Sequence, residues 1–448
     1  MNLDKIFKAY DIRGQVPTEL NADTARAIGL AFGSWLPGEG KVAVGRDMRI
    51  SSQELTSAFI EGLLQAGRNV WDLGQITSDM IYFAVGKYGL SGGAMITASH
   101  NPAADNGIKL TREGVKPVGI ENGLLEIKKA TESILKNTEQ IKVNGSVEQK
   151  DITKDWIKHV LSFIDGELKP LKVAIDAGNG MAGAIITHLQ KEVPLEIVPM
   201  YFEPDDSFPN HPANPMVPEN LEDLINKVKA EKCNVGVAFD ADGDRAVLVD
   251  ESGQLVNGST LTAFLAQHYL KTNKGANIVH NAICSKAVPE TILENRGVPI
   301  RSRVGHSFMK AKMREMDAPF GGEHSAHYYF KENYYADSGL IAAIISLSVL
   351  SGSGKKLSQL IKPYQKYASS GEVNFEVADK QGKLEELGRK FVDGEVDWLD
   401  GLTVSYKNWW FNVRPSNTEN LLRLNVEADS SEILEEKVAL ISRVISSI

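Results

Sequence analysis

Cysteine is almost absent from this chain. The two present, Cys233 and Cys284, form no Cys-x-x-Cys pair, so neither a disulfide framework nor a zinc site of the usual spacing is written here, and a reducing compartment fits best. Long apolar runs are missing too. The longest, 339–350, contains serines and is too short to span a bilayer. Residues 1–10 intersperse charges with no apolar stretch, so no secretory leader is read and the protein is expected to be cytoplasmic, without a membrane. An excess of positive charge is also lacking. Against 58 Asp+Glu stand 49 Lys+Arg, a net charge of -9, which argues against a general nucleic-acid surface. Any polyanion must find a local cluster. No fixed-period repeat occurs.

What is present is an ordinary globular composition. The chain has 448 residues, 42% hydrophobic and 24% charged, enough for a packed core and for about three domains, two to four being reasonable. In the first 150 residues β-rich runs at 41–44, 70–73 and 94–96 alternate with helical patterns, one opening at Ser51 with Glu54 as a capping box. That rhythm is α/β with parallel strands. A polar stretch, 140–154, reads as the first boundary. Strand 172–176 then runs into a glycine turn, strands 235–239 and 246–249 flank an acidic loop, and 277–280 opens a third unit with helices at 288–295 and 339–350 and a short strand at 298–300. The last 80 residues or so, with strands near 373–377, 403–406, 410–413 and 421–426 and a closing helix after Ser431, suggest a small α+β domain.

Gly178-Asn-Gly180-Met-Ala-Gly183 follows a strand and opens a helix, with Glu203 downstream, which is the layout of a dinucleotide site. After Glu203, however, the chain runs through Pro204, Pro209, Pro212 and Pro215 instead of a crossover helix, so a tight strand-to-helix turn is the better reading. Asp240-Ala-Asp242-Gly-Asp244-Arg245 places carboxylates at alternate positions. In extended backbone these project to one side and offer three hard oxygens to a Mg²⁺-like cation. Glu251 falls at the twelfth position of an EF-hand, but Arg245 stands where that loop needs glycine.

Thr97-Ala-Ser99-His100-Asn101-Pro102 puts a serine at a strand exit, where its hydroxyl can act as a nucleophile or phosphoryl carrier, with no G-x-S-x-G elbow around it. Arg414-Pro-Ser416-Asn417-Thr418 combines a guanidinium, two hydroxyls and an amide in a turn that suits a phosphate dianion as well as it suits an ordinary polar hairpin. Gly321-Gly322-Glu323-His324-Ser325-Ala326-His327 is dense in groups that bond sugar hydroxyls or move protons.

Together, in this order and spacing, these loops resemble the α-D-phosphohexomutase superfamily over almost the whole chain. Phe7-Lys-Ala-Tyr10-Asp-Ile-Arg13-Gly14 and Gly45-Arg-Asp47-Met-Arg49 are similar to its N-terminal signature, and the sugar loop through Phe330 is most like the phosphomannomutase/phosphoglucomutase branch. The resemblance implies an α/β fold of four domains around a central cleft: three related mixed-sheet domains at 1–150, 151–252 and 253–367, then a smaller α+β domain at 368–448. It implies that Ser99 is phosphorylated and joins Asp240, Asp242 and Asp244 around Mg²⁺. It implies Lys109 and His327 as acid and base, with Arg13 and Arg245 stabilising the transferring group. Glu323 and Ser325 would hold sugar hydroxyls, and Arg414, Ser416, Asn417 and Thr418, with Arg423, the non-reacting phosphate.

The run 281–286 lacks a lysine that several relatives carry, so His306, Arg303 or Lys286 is expected to replace its phosphate contact. The implied activity interconverts mannose 6- and 1-phosphate, with glucose phosphates also accepted, through a hexose 1,6-bisphosphate that also serves as activator. Phosphoglucomutase and phosphoglucosamine mutase remain open, as do, from other classes, a Mg²⁺-dependent phosphatase, a non-catalytic sugar-phosphate binder and a dinucleotide-dependent oxidoreductase. Expected partners are small hexose phosphates, with no nucleic acid, in a monomer or small homo-oligomer.

Overall fold

The structure is a computed structural model that describes residues 2–137, 143–416 and 421–446. Four sheets follow one another along the chain. The first contains β1 (Ile12–Gln15), β2 (Val42–Arg46), β3 (Val70–Gln75), β4 (Gly92–Ile96), β5 (Asp105–Arg112), β6 (Lys116–Pro117) and β7 (Val147–Gln149), in the order β1-β5-β4-β2-β3-β7 with β6 on β5. Its strands β4, β2, β3 and β7 are parallel and β1 and β5 antiparallel to their neighbours. The helices α1 (Ala22–Trp35), α2 (Ile50–Gln65), α3 (Ser78–Tyr88) and α4 (Leu125–Lys136) belong to this unit.

After α5 (Thr153–Leu161) come β8 (Leu171–Asp176), α6 (Ala182–Leu189), β9 (Leu195–Met200), α7 (Glu222–Ala230), β10 (Val235–Phe239), β11 (Ala246–Asp250) and β12 (Leu255–Val256), paired in the order β12-β11-β10-β8-β9. The third unit runs α8 (Gly258–Thr272), β13 (Asn277–Asn281), α9 (Ala287–Glu294), β14 (Val298–Ser302), α10 (His306–Glu315), β15 (Phe320–Gly322), β16 (Tyr328–Phe330), β17 (Ala336–Asp337), α11 (Gly339–Ser353) and α12 (Leu357–Ile361), with sheet order β14-β13-β15-β16-β17. The fourth sheet is wholly antiparallel: β18 (Ala368–Glu376), β22 (Leu421–Ala428), β21 (Trp409–Pro415), β20 (Leu402–Ser405) and β19 (Glu395–Asp397), in that order. It carries α13 (Lys380–Lys390) and α14 (Ser431–Ser446). The expected class, three mixed α/β units and a smaller α+β end, is what forms.

One apolar core runs continuously from α3 of the first unit through Val173, Val237 and Leu248 of the second to Phe320, Phe330 and Ile344 of the third. The C-terminal sheet has its own core around Leu387, Phe411, Leu424 and Ile441. Polar contacts join it to the third unit: the Lys286 N–H donates to Glu427 at 2.9 Å, Lys286 Nζ to the Tyr406 carbonyl at 3.1 Å, and the Val304 N–H to Asp400 at 2.8 Å. Interfaces of this polar kind leave relative domain motion as the default expectation.

Two local expectations are corrected. The Ser51/Glu54 capping box does not form, because α2 starts at Ile50; the Ile50 N–H is capped instead by Asp206 of the second unit at 2.9 Å, and Ser51 Oγ accepts from Asn106. The polar stretch read as the first boundary contains β7, which pairs in parallel with β3. The acidic loop is not extended: it is the turn between antiparallel β10 and β11, reversed at Gly243 with φ +75°. Among the described residues no single helix is long and apolar enough to cross a membrane. Cys233 and Cys284 are buried free thiols.

Candidate active site

Ser99 leaves the C-terminal end of β4 with φ 53°, in the left-handed region that costs a non-glycine residue on the order of 1 kcal/mol and is held only by its surroundings. Those surroundings are specific. The Ser99 N–H donates to Thr97 Oγ1 at 2.9 Å, and the fully buried Arg49 donates to the carbonyls of Ser99, Asn101, Pro102 and Asp105 at 2.7–3.0 Å. Asp47, also fully buried, pairs with Arg49 at 3.2 Å.

The serine hydroxyl reaches the second unit, donating to Asp240 Oδ2 at 2.9 Å, and Arg245 Nε donates to the same oxygen at 2.9 Å. Arg245 Nη2 lies 3.5 Å from Ser99 Oγ and also bonds His100 Nδ1. Burial and then the charge of Arg245 push His100 well below its ordinary value, so it is a neutral acceptor locking the arginine in place.

Asp240, Asp242 and Asp244 present ligand oxygens within 4.8 Å of one another, all buried. Burial pushes the Asp240 carboxyl up to about 7, with Arg245 opposing and its acidic neighbours adding to the rise. Asp242 and Asp244 stay below the ordinary range in spite of burial. Lys109 on β5 explains this: its Nζ sits 2.6 Å from Asp242 Oδ2 and 2.7 Å from Asp244 Oδ2. Ser78 Oγ, at the start of α3, also donates to Asp242 Oδ2, at 2.5 Å.

Asp242 Oδ1 is buried without a hydrogen-bond partner. Asp244 Oδ1 is likewise unbonded, and three hard carboxylates, two with an oxygen left over, fit a hard divalent cation such as Mg²⁺. The EF-hand reading falls away, because Glu251 is engaged by the N–H and hydroxyl of Ser358. The glycine turn supports this loop. A Cβ on Gly180 would stand 2.5 Å from the Ala241 carbonyl, and the Met181 N–H donates to that carbonyl at 2.8 Å, so the space a pyrophosphate would need is filled by the acidic loop itself.

The third unit brings its loop between β15 and β16 against Arg245, which bridges to His327. His327 Nε2 is 3.5 Å from Asp244 Oδ1, and Ser325 Oγ is 3.0 Å from His327 Nδ1. Burial alone would lower His327, but the Asp244 carboxylate overrides it and holds the imidazole above its ordinary value. Glu323, 1% exposed, is fixed by three donors: Asn281 Nδ2 and the Gly305 N–H at 3.0 Å, and the Tyr329 hydroxyl at 2.5 Å.

His306, first residue of α10, packs edge-on to Tyr10 at 4.9 Å with both ring nitrogens buried and unbonded. Burial, then Lys310 and Lys109, keeps it neutral. The other two candidates for the missing lysine's contact point elsewhere: Lys286 bonds the Tyr406 carbonyl, and Arg303 lies 3.9 Å over the Phe308 ring. Arg13 donates to Asp11 at 2.7 Å, to Asn101 at 2.8 Å and to the Ala98 carbonyl at 3.3 Å, which ties it to the serine loop.

Arg414 is the penultimate residue of β21, and its Nη2 lies 2.9 Å from Glu372; Arg423 of β22 is 3.4 Å from the same carboxylate. Ser416 follows β21, with its N–H donating to the Leu421 carbonyl at 2.9 Å. Asn417 and Thr418 lie outside the described residues. Burial raises the Tyr10 phenol, and of the more distant charges Glu323 adds to the rise while Arg414 opposes it. Sequence reasoning missed Arg49 as the clamp on the serine loop, Ser78 on Asp242, and Asn281 and Tyr329 on Glu323. Only Arg49 carried a signal, standing two residues after Asp47 in the N-terminal signature.

Four family models match in succession: phosphoglucomutase/phosphomannomutase alpha/beta/alpha domain I over residues 4–139, domain II over 154–253, domain III over 257–367 and the C-terminal domain over 372–443. The chain is 38% identical to a phosphomannomutase of Vibrio cholerae, covering 99% of this chain and 98% of that one. It is 39% identical to a phosphomannomutase of Methanocaldococcus jannaschii, covering 99% and 98%. A solved phosphoglucomutase/phosphomannomutase family protein from Burkholderia thailandensis superposes with a TM-score of 0.90 at 34% identity, covering 99% of this chain and 97% of that one.

Proposed function

We propose that this chain, which belongs to the phosphoglucomutase/phosphomannomutase family, interconverts mannose 6-phosphate and mannose 1-phosphate, and glucose phosphates as well, through a phosphoserine at Ser99. The observation that carries the reading is the Ser99 hydroxyl at 2.9 Å from Asp240, at the edge of a three-carboxylate cluster and beside Arg245. A divalent cation such as Mg²⁺, held by Asp240, Asp242, Asp244 and a phosphate oxygen on Ser99, would neutralise the phosphoserine dianion and polarise its phosphorus.

The protein's own groups do the rest. Arg245, fixed by Asp240 and His100, and Arg13, fixed by Asp11 and Asn101, face the transferring group with rigid donors that need no rearrangement as charge develops. The sugar hydroxyl oxygen bonds to phosphorus as the bond to Ser99 Oγ breaks, and the hydroxyl proton passes to a base. His327, whose imidazole Asp244 holds above its ordinary value, is the group that exchanges that proton. Lys109, held firmly as an ammonium against burial by Asp242 and Asp244, acts as proton donor and charge stabiliser.

The resulting 1,6-bisphosphate turns end for end, and its other phosphoryl group returns to Ser99; the same bisphosphate added in trace primes an unphosphorylated enzyme. Glu323 and Ser325 grip hydroxyls shared by both orientations, while His306, Arg414, Ser416, Asn417, Thr418 and Arg423 hold the phosphate that is not reacting.

Phosphorus NMR of mannose 1-phosphate and glucose 1-phosphate with Mg²⁺ and a trace of hexose 1,6-bisphosphate tests this, with Ser99→Ala beside the wild type. Conversion to the 6-phosphates that disappears in Ser99→Ala is expected, and the ratio of the two rates names the preferred sugar. Turnover of neither sugar by the wild type would sink the reading.

A further inference from the structure

Arg414 and Arg423 stand directly opposite each other across β21 and β22. Like charges in opposed cross-strand positions repel, so an anion between them is stabilising. In this structure the anion comes from the chain itself. The two oxygens of Glu372 divide between the two guanidiniums, Oε2 at 2.9 Å from Arg414 Nη2 and Oε1 at 3.4 Å from Arg423 Nη1, the bridging pattern a phosphate would make.

Glu372 is aimed there by its backbone. It follows Gly371, at φ +64°, and the register of β18 against β22 shifts between Ser369 and Glu372, an irregularity of the kind that redirects a side chain. The contact is not a sealed structural ion pair. The Glu372 side chain keeps 31% of its surface in solvent, so it can swing away, whereas Arg414 keeps 7% and has its Nε buried without a hydrogen-bond partner. A donor remains that the carboxylate does not satisfy and a larger oxyanion can.

We propose that Glu372 is an internal stand-in for the substrate's non-reacting phosphate, occupying the Arg414–Arg423 pair whenever the phosphate is away and yielding when it arrives. This rests on the mutase reading and adds a positioning residue to it. Its consequence lies in the middle of the cycle. For the bisphosphate to turn over without leaving the enzyme, the arginines must release one phosphate before receiving the other. A carboxylate ready to replace it lowers the free energy of the vacated state, at the expense of ground-state affinity.

Glu372→Gln tests this, because the amide keeps the shape and removes the charge. Titrating inorganic phosphate into each protein by calorimetry, the variant is expected to bind about three- to tenfold more tightly, since no anion has to be displaced. With hexose 1-phosphate, KM is expected to fall in parallel and kcat to fall with it, as release during reorientation slows. Glu372→Asp, which keeps the charge on a shorter arm, is expected to lie between the two, and it serves as the second test if the glutamine variant folds poorly. Unchanged or weaker phosphate binding in both variants would overturn the proposal, showing that Glu372 only orients the arginines. Tighter phosphate binding without hexose turnover in any of the proteins would leave the stand-in in place and remove the mutase reading.

Discussion

Arg49 donates from Nη2 to the carbonyl oxygen of Ser99 at 2.8 Å, so a fully buried guanidinium holds the backbone of the proposed phosphoryl carrier in its left-handed conformation. The same guanidinium serves three further carbonyls of that loop. Lysine offers one point charge where a planar fork is needed. Arg49→Lys is expected to lower turnover at least tenfold with a modest loss of melting temperature. Arg49→Ala, which strands the buried Asp47, should cost about 3 kcal/mol. Melting curves and limited proteolysis of the loop check the order of the two.

Lys109 lies between Asp242 and Asp244 and supplies the positive charge these buried carboxylates need. Removing it with Lys109→Met leaves two acids facing each other. In EDTA the variant should melt several degrees below the wild type. Added Mg²⁺ should recover most of the difference, stabilising the variant more than the wild type through binding linkage. Equal Mg²⁺ stabilisation of both proteins would show that the ammonium and the metal do not substitute for each other.

His211 contacts Asp176 at 2.9 Å with 14% of its side chain exposed, and although burial pulls its pKa down, the carboxylate wins and raises it. A histidine raised on folding stabilises fully below its unfolded pKa of about 6.5, and that contribution is lost as pH climbs through the folded value. His211→Asn should therefore melt below the wild type at pH 5.5 and close most of the gap by pH 8.5. The difference should be on the order of 1 kcal/mol, because the pair is partly solvated. A gap that widens with pH would mean the ion pair contributes nothing.

Gly180 lies where a Cβ would meet the Ala241 carbonyl at 2.5 Å, inside the acidic loop. Gly180→Ala must push that loop, and an overpacked contact of this kind costs about 1–3 kcal/mol. Weaker Mg²⁺ binding by calorimetry is expected, with no nicotinamide dinucleotide bound by either protein. Dinucleotide binding to the wild type that the alanine abolished would revive the oxidoreductase reading.

The sequence alone was enough for much of what depends on neighbours. The serine at a strand exit, the three aspartates at alternate positions and the Gly322–His327 loop could be read because groups a few residues apart are held near each other by the chain itself. The α/β rhythm was legible for the same reason, since period and turn residues are local. Two local readings failed, one to a distant group and one to a turn inside the loop itself. Asp206, not the Ser51/Glu54 box, caps α2, and the aspartates converge through a turn at Gly243 instead of along a strand. Only the tertiary structure decided how the loops complete one another. The bonds from Ser99 to Asp240, Lys109 to Asp242, Ser78 to Asp242 and Arg245 to His100 each join residues more than 130 positions apart. Such partners have no spacing that the chain could show. They meet because one continuous apolar core brings the exits of three sheets to a common edge, and burial there makes every unpaired charge costly enough to select its partner.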